Sequence, residues 1–332
     1  MQFKQLGRTG LSVSRLCVGT GTFGHQTRED EAFKILDTAA DAGVNFIDTA
    51  DIYPGGALPH ELGSSEEITG RWLKDKRSRF ILGTKGGGPI GPSPWDRGTS
   101  RKHLLDAIDA SLRRLNTDYV DLYQIHMDDS TTPLDETAEA LDLIVRSGRA
   151  RYIGVSNFLA YRLARAIGRQ DVLRLTRFVS AQPRYNLLFR EIERELLPLA
   201  QEEGVGVISF NPLAGGLLTG RYRRDDDPTQ GRFSQTEMGQ FGAMYKDRYW
   251  RDREFATVEQ LLSMASEAGI PLPTLSVAWI LKNPAITSVI LGASRSEQLR
   301  DTLVGADQEV QPAVLSKLDE VTSEYRRGDA GR

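Results

Sequence analysis

Eight short runs rich in β-branched and aromatic residues recur along the chain, separated by longer stretches with a helical period. The runs are RLCVGT, VNFIDT, FILGTK, YVDLYQIH, ARYIGVSN, FVSAQ, VGVISFNP and ITSVILGAS. Strand patterns that alternate with helical ones are typical of βαβ units and a parallel sheet. Repeated short βαβ connections favour closure of that sheet, so we predict an α/β fold, a (β/α)8 TIM barrel, with residues 1–332 as a single domain.

The helical stretches have clear faces and start signals. TSRKHLLDAIDASLRRL places its leucines and one isoleucine on one side. In TTPLDETAEALDLIVRSG, Thr132 is the predicted N-cap and Pro133 the first helical residue. Ser64, followed three residues later by Glu67, has the pattern of a capping box.

The start of the chain predicts an antiparallel pair rather than a barrel strand. In FKQLGRTGLSVSRL, two short alternating runs flank the segment from Gly7 to Gly10, which is typical of a β-hairpin. The doubly wound alternative is weaker, because GTGTFG lacks the glycine spacing of a dinucleotide fingerprint and Asp48 is in the wrong place for its acidic residue.

Residues 221–250 have no clear period, are rich in glycine and arginine, and exceed the length of ordinary connections. Long irregular segments in compact domains are commonly functional loops. We therefore predict a functional loop over the mouth of the barrel.

Composition limits the partners. The 42 Lys+Arg and 45 Asp+Glu residues give a net charge of −3, without the basic field that nucleic acid or anionic lipid requires. No apolar run approaches the roughly 20 residues that span a bilayer. One cysteine, Cys17, and an N-terminus without a secretory apolar core predict a cytoplasmic protein without structural disulfides.

Four reactive side chains fall at or just after the ends of three consecutive predicted strands. Asp48 ends the second, with Tyr53 in the following loop; Lys85 ends the third and His126 the fourth. Taken singly, an Asp in such a place is usually a cap, a Tyr usually packs, and a His is more often a satisfied polar residue than a catalytic one. Because the carboxyl ends of barrel strands carry the active site, their coincidence predicts one catalytic cluster.

These residue types suit proton transfer to a carbonyl group. A phenol, with a usual pKa of about 10, is a weak donor at neutral pH unless a cation stabilises its phenolate. Lys85 can supply that cation, and Asp48 the counter-charge that keeps a buried lysine protonated. With His126 bound to the carbonyl oxygen, the arrangement suits addition of a hydride and a proton to C=O, the hydride coming from a cofactor.

Other chemistry has less support. The four histidines, His25, His60, His103 and His126, contain no H-x-H pair of the kind that a metal-dependent hydrolase uses, so no metal is expected. Cys17 is predicted to pack in the first barrel strand. Phe23 and Trp95 follow strands one and three, where they could line a substrate pocket with Tyr53 and His126; Trp95 could equally anchor its loop.

The ordered set of motifs resembles the aldo-keto reductase superfamily over nearly the whole chain. The resemblance rests on GTFG, FIDTADIY, GTKGG, DYVDLYQIH, IGVSNF, QPRYN, NPLAGGLLTGRY and ILGASRSEQL, whose order and spacing together are specific. It implies a catalytic tetrad of Asp48, Tyr53, Lys85 and His126, with Tyr53 as general acid in reduction.

The resemblance also implies NADP(H) lying across the barrel mouth. Ser156, Asn157 and Gln182 would hold the carboxamide, and Phe210 would stack on the nicotinamide. The pyrophosphate would follow Asn211, Pro212, Leu213, Ala214, Gly215 and Arg221, and the adenosine 2′-phosphate end would meet Gly292, Ser294, Arg295 and Gln298. Gly21, Thr22, Phe23 and Asp48 complete the implied cofactor site.

The chain departs from the family pattern at three places. Phe210 stands where Tyr or Trp is frequent, which preserves stacking, and Asn211 stands where Ser is common. Thr302 replaces a usual Asn, which argues against adenine recognition by this residue. Arg295 remains as a phosphate partner, and its guanidinium favours NADP(H) over NAD(H).

The sequence thus predicts an NADP(H)-dependent reductase of an aldehyde or ketone, or the reverse alcohol oxidation, with a small-molecule carbonyl or alcohol as its partner. The alternative is a redox-sensing regulatory subunit, because the β-subunits of potassium channels resemble the same family and keep the tetrad. Fold analogy does not separate the two. The residues carry no readable code for the substrate or the oligomeric state.

Overall fold

The computed structural model describes residues 1–326. Its strands are β1 (Phe3–Gln5), β2 (Ser12–Ser14), β3 (Leu16–Gly19), β4 (Phe46–Asp48), β5 (Ile81–Gly86), β6 (Val120–Ile125), β7 (Ala150–Ser156), β8 (Phe178–Gln182), β9 (Gly206–Ser209) and β10 (Ile286–Gly292). Its α-helices are α1 (Glu29–Asp41), α2 (Ser64–Leu73), α3 (Arg101–Leu115), α4 (Leu134–Arg146), α5 (Ala160–Leu173), α6 (Leu196–Glu203), α7 (Gln235–Tyr249), α8 (Asp252–Ala268), α9 (Leu272–Lys282), α10 (Arg300–Val304) and α11 (Pro312–Val321).

Strands β3 to β10 form a closed parallel barrel in which each strand pairs with its neighbours in chain order, and β10 returns to β3. The register places Gly19 opposite Asp48 and Lys85 opposite Gln124. The predicted (β/α)8 TIM barrel is therefore confirmed. Because all eight strands run the same way, their carboxyl ends share one face, which we call the mouth.

The predicted hairpin is also confirmed. Strands β1 and β2 are antiparallel, and the amide of Arg8 donates to the carbonyl of Gly204, 2.8 Å away, just before β9 begins. Gly7 has φ 60°, and a Cβ added there would lie 2.5 Å from the Gly204 oxygen. The hairpin thus closes the end of the barrel opposite the mouth.

Two hydrophobic clusters divide the core. The smaller consists of the buried side chains Leu6, Val13, Cys17, Phe46, Leu122, Ile208 and Ile290. Since Leu16 and Val18 on either side of Cys17 belong to the larger cluster, which includes the helices, strand alternation assigns the smaller one to the barrel interior. Cys17 packs in the first barrel strand, as predicted.

The helix starts differ from the sequence predictions by one residue. Helix α2 begins at Ser64 after Gly63, and the Ser64 hydroxyl is buried without a hydrogen-bond partner, so the capping box is wrong. Helix α4 begins at Leu134, and the Thr132 hydroxyl donates instead to Asp129, 2.7 Å away. At α4, the bond to Asp129, three residues before Thr132, takes the hydroxyl that would otherwise cap the helix.

The predicted loop over residues 221–250 is partly wrong, because α7 fills its second half. Ser234 caps this helix by accepting from the amide of Glu237 at 3.0 Å. Gly239 interrupts it with φ 52°. Tyr245 of the helix packs edge-on against Phe233, which in turn packs against Trp250. Such an interrupted helix lacks the regular apolar stripe by which a helix is found in sequence.

Within residues 1–326 no single helix is long and apolar enough to cross a membrane. Helices α8 and α9 meet that criterion only when taken together, and they are bent by 92° relative to each other.

Candidate active site

The four side chains of the predicted tetrad lie together at the mouth. Lys85, in β5, donates through Nζ to Oδ2 of Asp48 at 2.6 Å and to the carbonyl of Thr49 at 2.8 Å. The same Nζ lies 3.3 Å from the Tyr53 hydroxyl. The ammonium therefore joins the acid at the end of β4 to the phenol in the loop that follows.

The His126 ring packs edge-on against Tyr53, with ring centroids 5.5 Å apart and planes at 81°. Its Nδ1 is buried and has no hydrogen-bond partner. Burial, and then the charge of Lys85, lower the pKa of His126 well below its usual value. A neutral imidazole with a free polar atom is thus available beside the phenol.

Lys85 and Asp48 form a buried ion pair, with side chains 0% and 2% exposed. Burial alone lowers the pKa of Lys85, but the Asp48 carboxylate and the Tyr53 oxygen reverse that effect, and the net pKa lies above its usual value. Lys85 therefore stays charged at neutral pH, as predicted.

The pKa of Tyr53 is raised, not lowered. Burial raises it most; Lys85 lowers it, but Asp48 raises it again. The prediction that the Lys85 ammonium lowers the pKa of Tyr53 towards neutral pH is therefore wrong. The cost of desolvating the phenolate exceeds the attraction of one cation that is already paired with Asp48. Tyr53 consequently keeps its proton at neutral pH.

Asp48 has further hydrogen-bond partners that were not predicted from the sequence. Its Oδ1 accepts from Nε2 of Gln182 at 2.8 Å and from Nε2 of Gln124 at 3.4 Å. Ser180 in turn donates to Oε1 of Gln124 at 3.2 Å. The signal was present as two-residue alternation, since Gln124 precedes His126 by two positions and Ser180 precedes Gln182 by two.

The residues predicted to hold a carboxamide adjoin the tetrad. Ser156 donates to the carbonyl of Gln182 at 2.9 Å, and Nδ2 of Asn157 donates to the carbonyl of His126 at 2.9 Å. Asn157 adopts φ 57° at the turn after β7. These contacts tie the ends of β6, β7 and β8 together, with the amide of Gln182 directed at Asp48.

The turn after β9 contains Phe210 and the predicted pyrophosphate residues, including Pro212, Leu213 and Ala214. Asn211 shapes this turn: Oδ1 accepts from the amide of Gly215 at 2.7 Å, and Nδ2 donates to the Tyr249 hydroxyl at 2.9 Å. Gly215 has φ 71°, and a Cβ there would lie 2.7 Å from the Tyr245 ring. The Asn211 side chain is thus held by the protein.

The predicted adenosine end lies after β10. Gly292 has open space where a Cβ would stand. Oε1 of Gln298 accepts from the amide of Ser294 at 2.9 Å, which shapes the loop. Arg295 is exposed and, in the part of the chain that the structure describes, its side chain has no hydrogen bond or ion pair.

The Thr302 side chain is buried and donates to the carbonyl of Leu299 at 3.0 Å. It therefore faces the helix rather than the solvent, in agreement with the argument against its recognising adenine.

The segment after β3 contributes unequally. A Cβ on Gly21 would lie 3.6 Å from the Tyr53 ring, and Thr22 donates to the carbonyl of Ala293 at 2.7 Å. Phe23 is fully buried in the larger core cluster, so its position argues against the predicted pocket role. Backbone contacts hold Phe23 in this position: its amide donates to the carbonyl of Thr20, and it forms a β-bridge with Thr27. Trp95 is 57% exposed, so it does not anchor its loop by burial.

Two arginines lie close to this end of the barrel: Arg221, which belongs to the predicted pyrophosphate set, and Arg232, which the sequence did not single out. Arg232 is near enough to Gly21 that a Cβ there would be 3.7 Å from its Nη2, and Arg221 stacks on the Tyr222 ring, 4.5 Å from its centroid. Among residues 1–326, no group of three or more His, Cys, Asp or Glu side chains is arranged to hold a metal ion.

Several known proteins are similar to this chain over most of its length. It is 37% identical to the uncharacterized oxidoreductase YrpG of Bacillus subtilis, over 97% of this chain and 96% of that protein. It is also 37% identical to a probable voltage-gated potassium channel subunit beta of Arabidopsis thaliana, with the same coverage. With the L-glyceraldehyde 3-phosphate reductase of Escherichia coli it shares 36% identity over 91% of this chain and 87% of that one. The model of the aldo/keto reductase family matches residues 15–323, and the chain belongs to this family of oxidoreductases.

Proposed function

We propose that this protein is an NADP(H)-dependent reductase that converts an aldehyde or ketone to an alcohol, or catalyses the reverse reaction. The observation that supports this most is the hydrogen-bonded series from Asp48 through Lys85 to the Tyr53 hydroxyl, with His126 beside it. A phenol that keeps its proton and a neutral imidazole are two donors for one carbonyl oxygen. The 36% identity to L-glyceraldehyde 3-phosphate reductase, a named reductase of an aldehyde, agrees with it.

In this mechanism Tyr53 donates its proton to the oxygen of the substrate. Lys85 stabilises the phenolate that remains, and Asp48 keeps Lys85 charged throughout. His126 orients the carbonyl group through its ring nitrogen. The cofactor, when bound at the mouth beside Phe210 and Gln182, would supply the hydride.

The residues at the mouth fit such a cofactor. Gly292 leaves room for close approach, and the exposed Arg295 is a free cation for a 2′-phosphate. Phe210 offers a ring for stacking, and Arg232, next to Gly21, adds positive charge suited to a pyrophosphate. The side-chain amide of Gln182 already donates to Asp48. To bind a carboxamide it would either make a second hydrogen bond or give up the one to Asp48.

NADPH oxidation measured with a panel of aldehydes and ketones tests the proposal. We expect turnover of at least one carbonyl compound that Tyr53→Phe abolishes while NADPH still binds. Tight NADPH binding without turnover on any carbonyl compound would support the second candidate, a regulatory subunit. That candidate is favoured by the 37% identity to a probable potassium channel subunit beta.

We further propose that residues 1–332 work as one barrel domain in the cytoplasm on a small carbonyl or alcohol substrate. A single cooperative unfolding transition and recovery in the soluble cytoplasmic fraction are the expected results. Two separate transitions, or recovery in another compartment, would contradict these proposals.

A further inference from the structure

Three arginines are unusual because their partly buried side chains have no hydrogen bond or ion pair within residues 1–326. They are Arg184, Arg232 and Arg248. Other well-buried arginines are paired; Arg162, for instance, donates to both carboxylate oxygens of Asp128 at 2.9 Å. An unpaired guanidinium that has lost part of its water is costly, so such groups point to a missing anion.

Arg184 lies at the mouth. Ser180 and Gln182 alternate along β8 and both face the barrel interior, where they bond to Gln124 and Asp48. The backbone remains extended for two residues beyond β8. The amide of Phe210 donates to the carbonyl of Pro183 at 3.0 Å, and the backbones of Arg184 and Phe210 form an isolated parallel β-bridge. Arg184 is thus on the same face as Gln182, roughly 7 Å further along the strand.

Arg184 and Arg248 lie against one aromatic surface. The Arg184 guanidinium is 3.5 Å from the centroid of the Phe189 ring and 5.6 Å from that of Tyr249. The Arg248 guanidinium is 5.6 Å from the centroid of Tyr245, whose ring is 6.4 Å from that of Tyr249. Stacking positions the two groups but leaves their charge and N–H donors unneutralised.

The two guanidinium groups also repel each other. Burial and then the charge of Arg184 lower the pKa of Arg248. The neighbouring Asp247 acts in the opposite direction, but it is exposed and forms no ion pair with Arg248. An anion held between two such groups relieves both the repulsion and the unmet hydrogen bonding.

We propose that Arg184 and Arg248 bind the anionic group, a phosphate or a carboxylate, of a carbonyl substrate whose C=O lies at Tyr53. This inference rests on the proposed function and assigns its substrate class. Arg232 is left to the cofactor, because it adjoins Gly21 and Gly55 rather than β8. The planar donors of arginine match both kinds of anion bidentately.

Matched substrate pairs test the proposal. The ratio of kcat/KM for glyceraldehyde 3-phosphate to that for glyceraldehyde tests a phosphate, and the ratio for succinic semialdehyde to butanal tests a carboxylate. In the wild type at least one ratio should be well above one. Arg184→Ala and Arg248→Ala should each lower that ratio about 10- to 100-fold, mainly through KM, and Arg184→Lys should restore part of it.

Arg165→Ala is the matched control, because Arg165 is an exposed arginine on α5 without a partner in the described residues, and it should leave both ratios unchanged. A wild type that gains nothing from either anionic group would overturn the proposal. So would variants that weaken NADPH in a fluorescence titration but keep the ratios, since the two arginines would then serve the cofactor.

A binding measurement separates this inference from the proposed function. Thermal unfolding is measured without cofactor, in the presence of glyceraldehyde 3-phosphate or of succinic semialdehyde. At least one of these two compounds should raise the unfolding temperature of the wild type, and it should have a smaller effect on the Arg184→Ala, Arg248→Ala double variant. If no carbonyl compound is turned over but this difference persists, the reductase proposal fails and the anion site stands. Equal stabilisation of both proteins would refute the site.

Discussion

Two buried aspartates three residues apart should respond oppositely to the same substitution. Asp48 is ionised and paired with Lys85, whereas both carboxylate oxygens of Asp51 are buried without a hydrogen-bond partner. Burial, and then the charge of Glu66, raise the pKa of Asp51 well above its usual value, so we expect this carboxyl to be neutral in the folded protein near pH 7. Replacing each by Asn removes a charge in one case and none in the other.

Asp48→Asn leaves the ammonium of Lys85 buried without its counter-charge. Breaking a buried pair in this way typically costs about 3–5 kcal/mol, and we expect a loss of that order in the free energy of unfolding at pH 7. Asp51→Asn replaces a neutral acid by a neutral amide and removes the cost of protonating a carboxylate that is ionised in the unfolded chain, so the variant should be more stable than the wild type at pH 7, by about 1.4 kcal/mol for each unit of pKa difference. Urea unfolding of the three proteins measures both differences.

The pH dependence adds a second check with a defined sign. Asp51 has a folded pKa above its unfolded one, so the stability that it contributes is fully present below the unfolded value, about 4, and is lost as the pH rises towards the folded value. Asp51→Asn should therefore be less sensitive to pH than the wild type above pH 4. A large loss in Asp51→Asn at pH 7, or almost none in Asp48→Asn, would refute this assignment of charges.

Two further predictions concern the cofactor. Arg295→Ala should weaken NADPH about 10- to 100-fold and NADH far less, because only NADPH has the 2′-phosphate that a charged hydrogen bond can reach; an equal loss for both in fluorescence titrations would contradict it. Saturating NADP⁺ should slow proteolysis between residues 221 and 234, the irregular half of the predicted loop, and unchanged cleavage rates would indicate a passive surface segment.

The barrel and its reactive cluster could be predicted because their signals are local and periodic. Each strand appears as a short apolar run, and the rule that barrel strands present function at their carboxyl ends brings Asp48, Lys85 and His126 together without any coordinates. The order of the strands along the chain therefore predicts which side chains meet, and the structure adds the distances between them.

What the sequence missed depends on contacts between distant residues. The bond from Gln182 to Asp48 joins positions 134 residues apart, and Asn211 reaches Tyr249 across a turn whose shape no local pattern specifies. The direction of the pKa shift of Tyr53 could not be predicted for a related reason. The sequence shows which charged residues are near, but not that burial raises the pKa by more than Lys85 lowers it. Helix α7 was not predicted because its interruption at Gly239 breaks the regular spacing of apolar residues by which a helix is recognised in sequence.

The central claim is that Tyr53 donates the proton and that Lys85 acts through it. Turnover of Tyr53→Phe, Lys85→Met and the double variant on one carbonyl substrate, with NADPH affinity measured alongside, tests it most directly. Each single change should lower kcat by about 10²–10⁴-fold while NADPH binding stays within a few fold, and the double variant should be little worse than either, since residues that act as one unit are not additive. Multiplicative losses, or a Tyr53→Phe protein that keeps more than about a tenth of wild-type turnover, would mean that another group donates the proton.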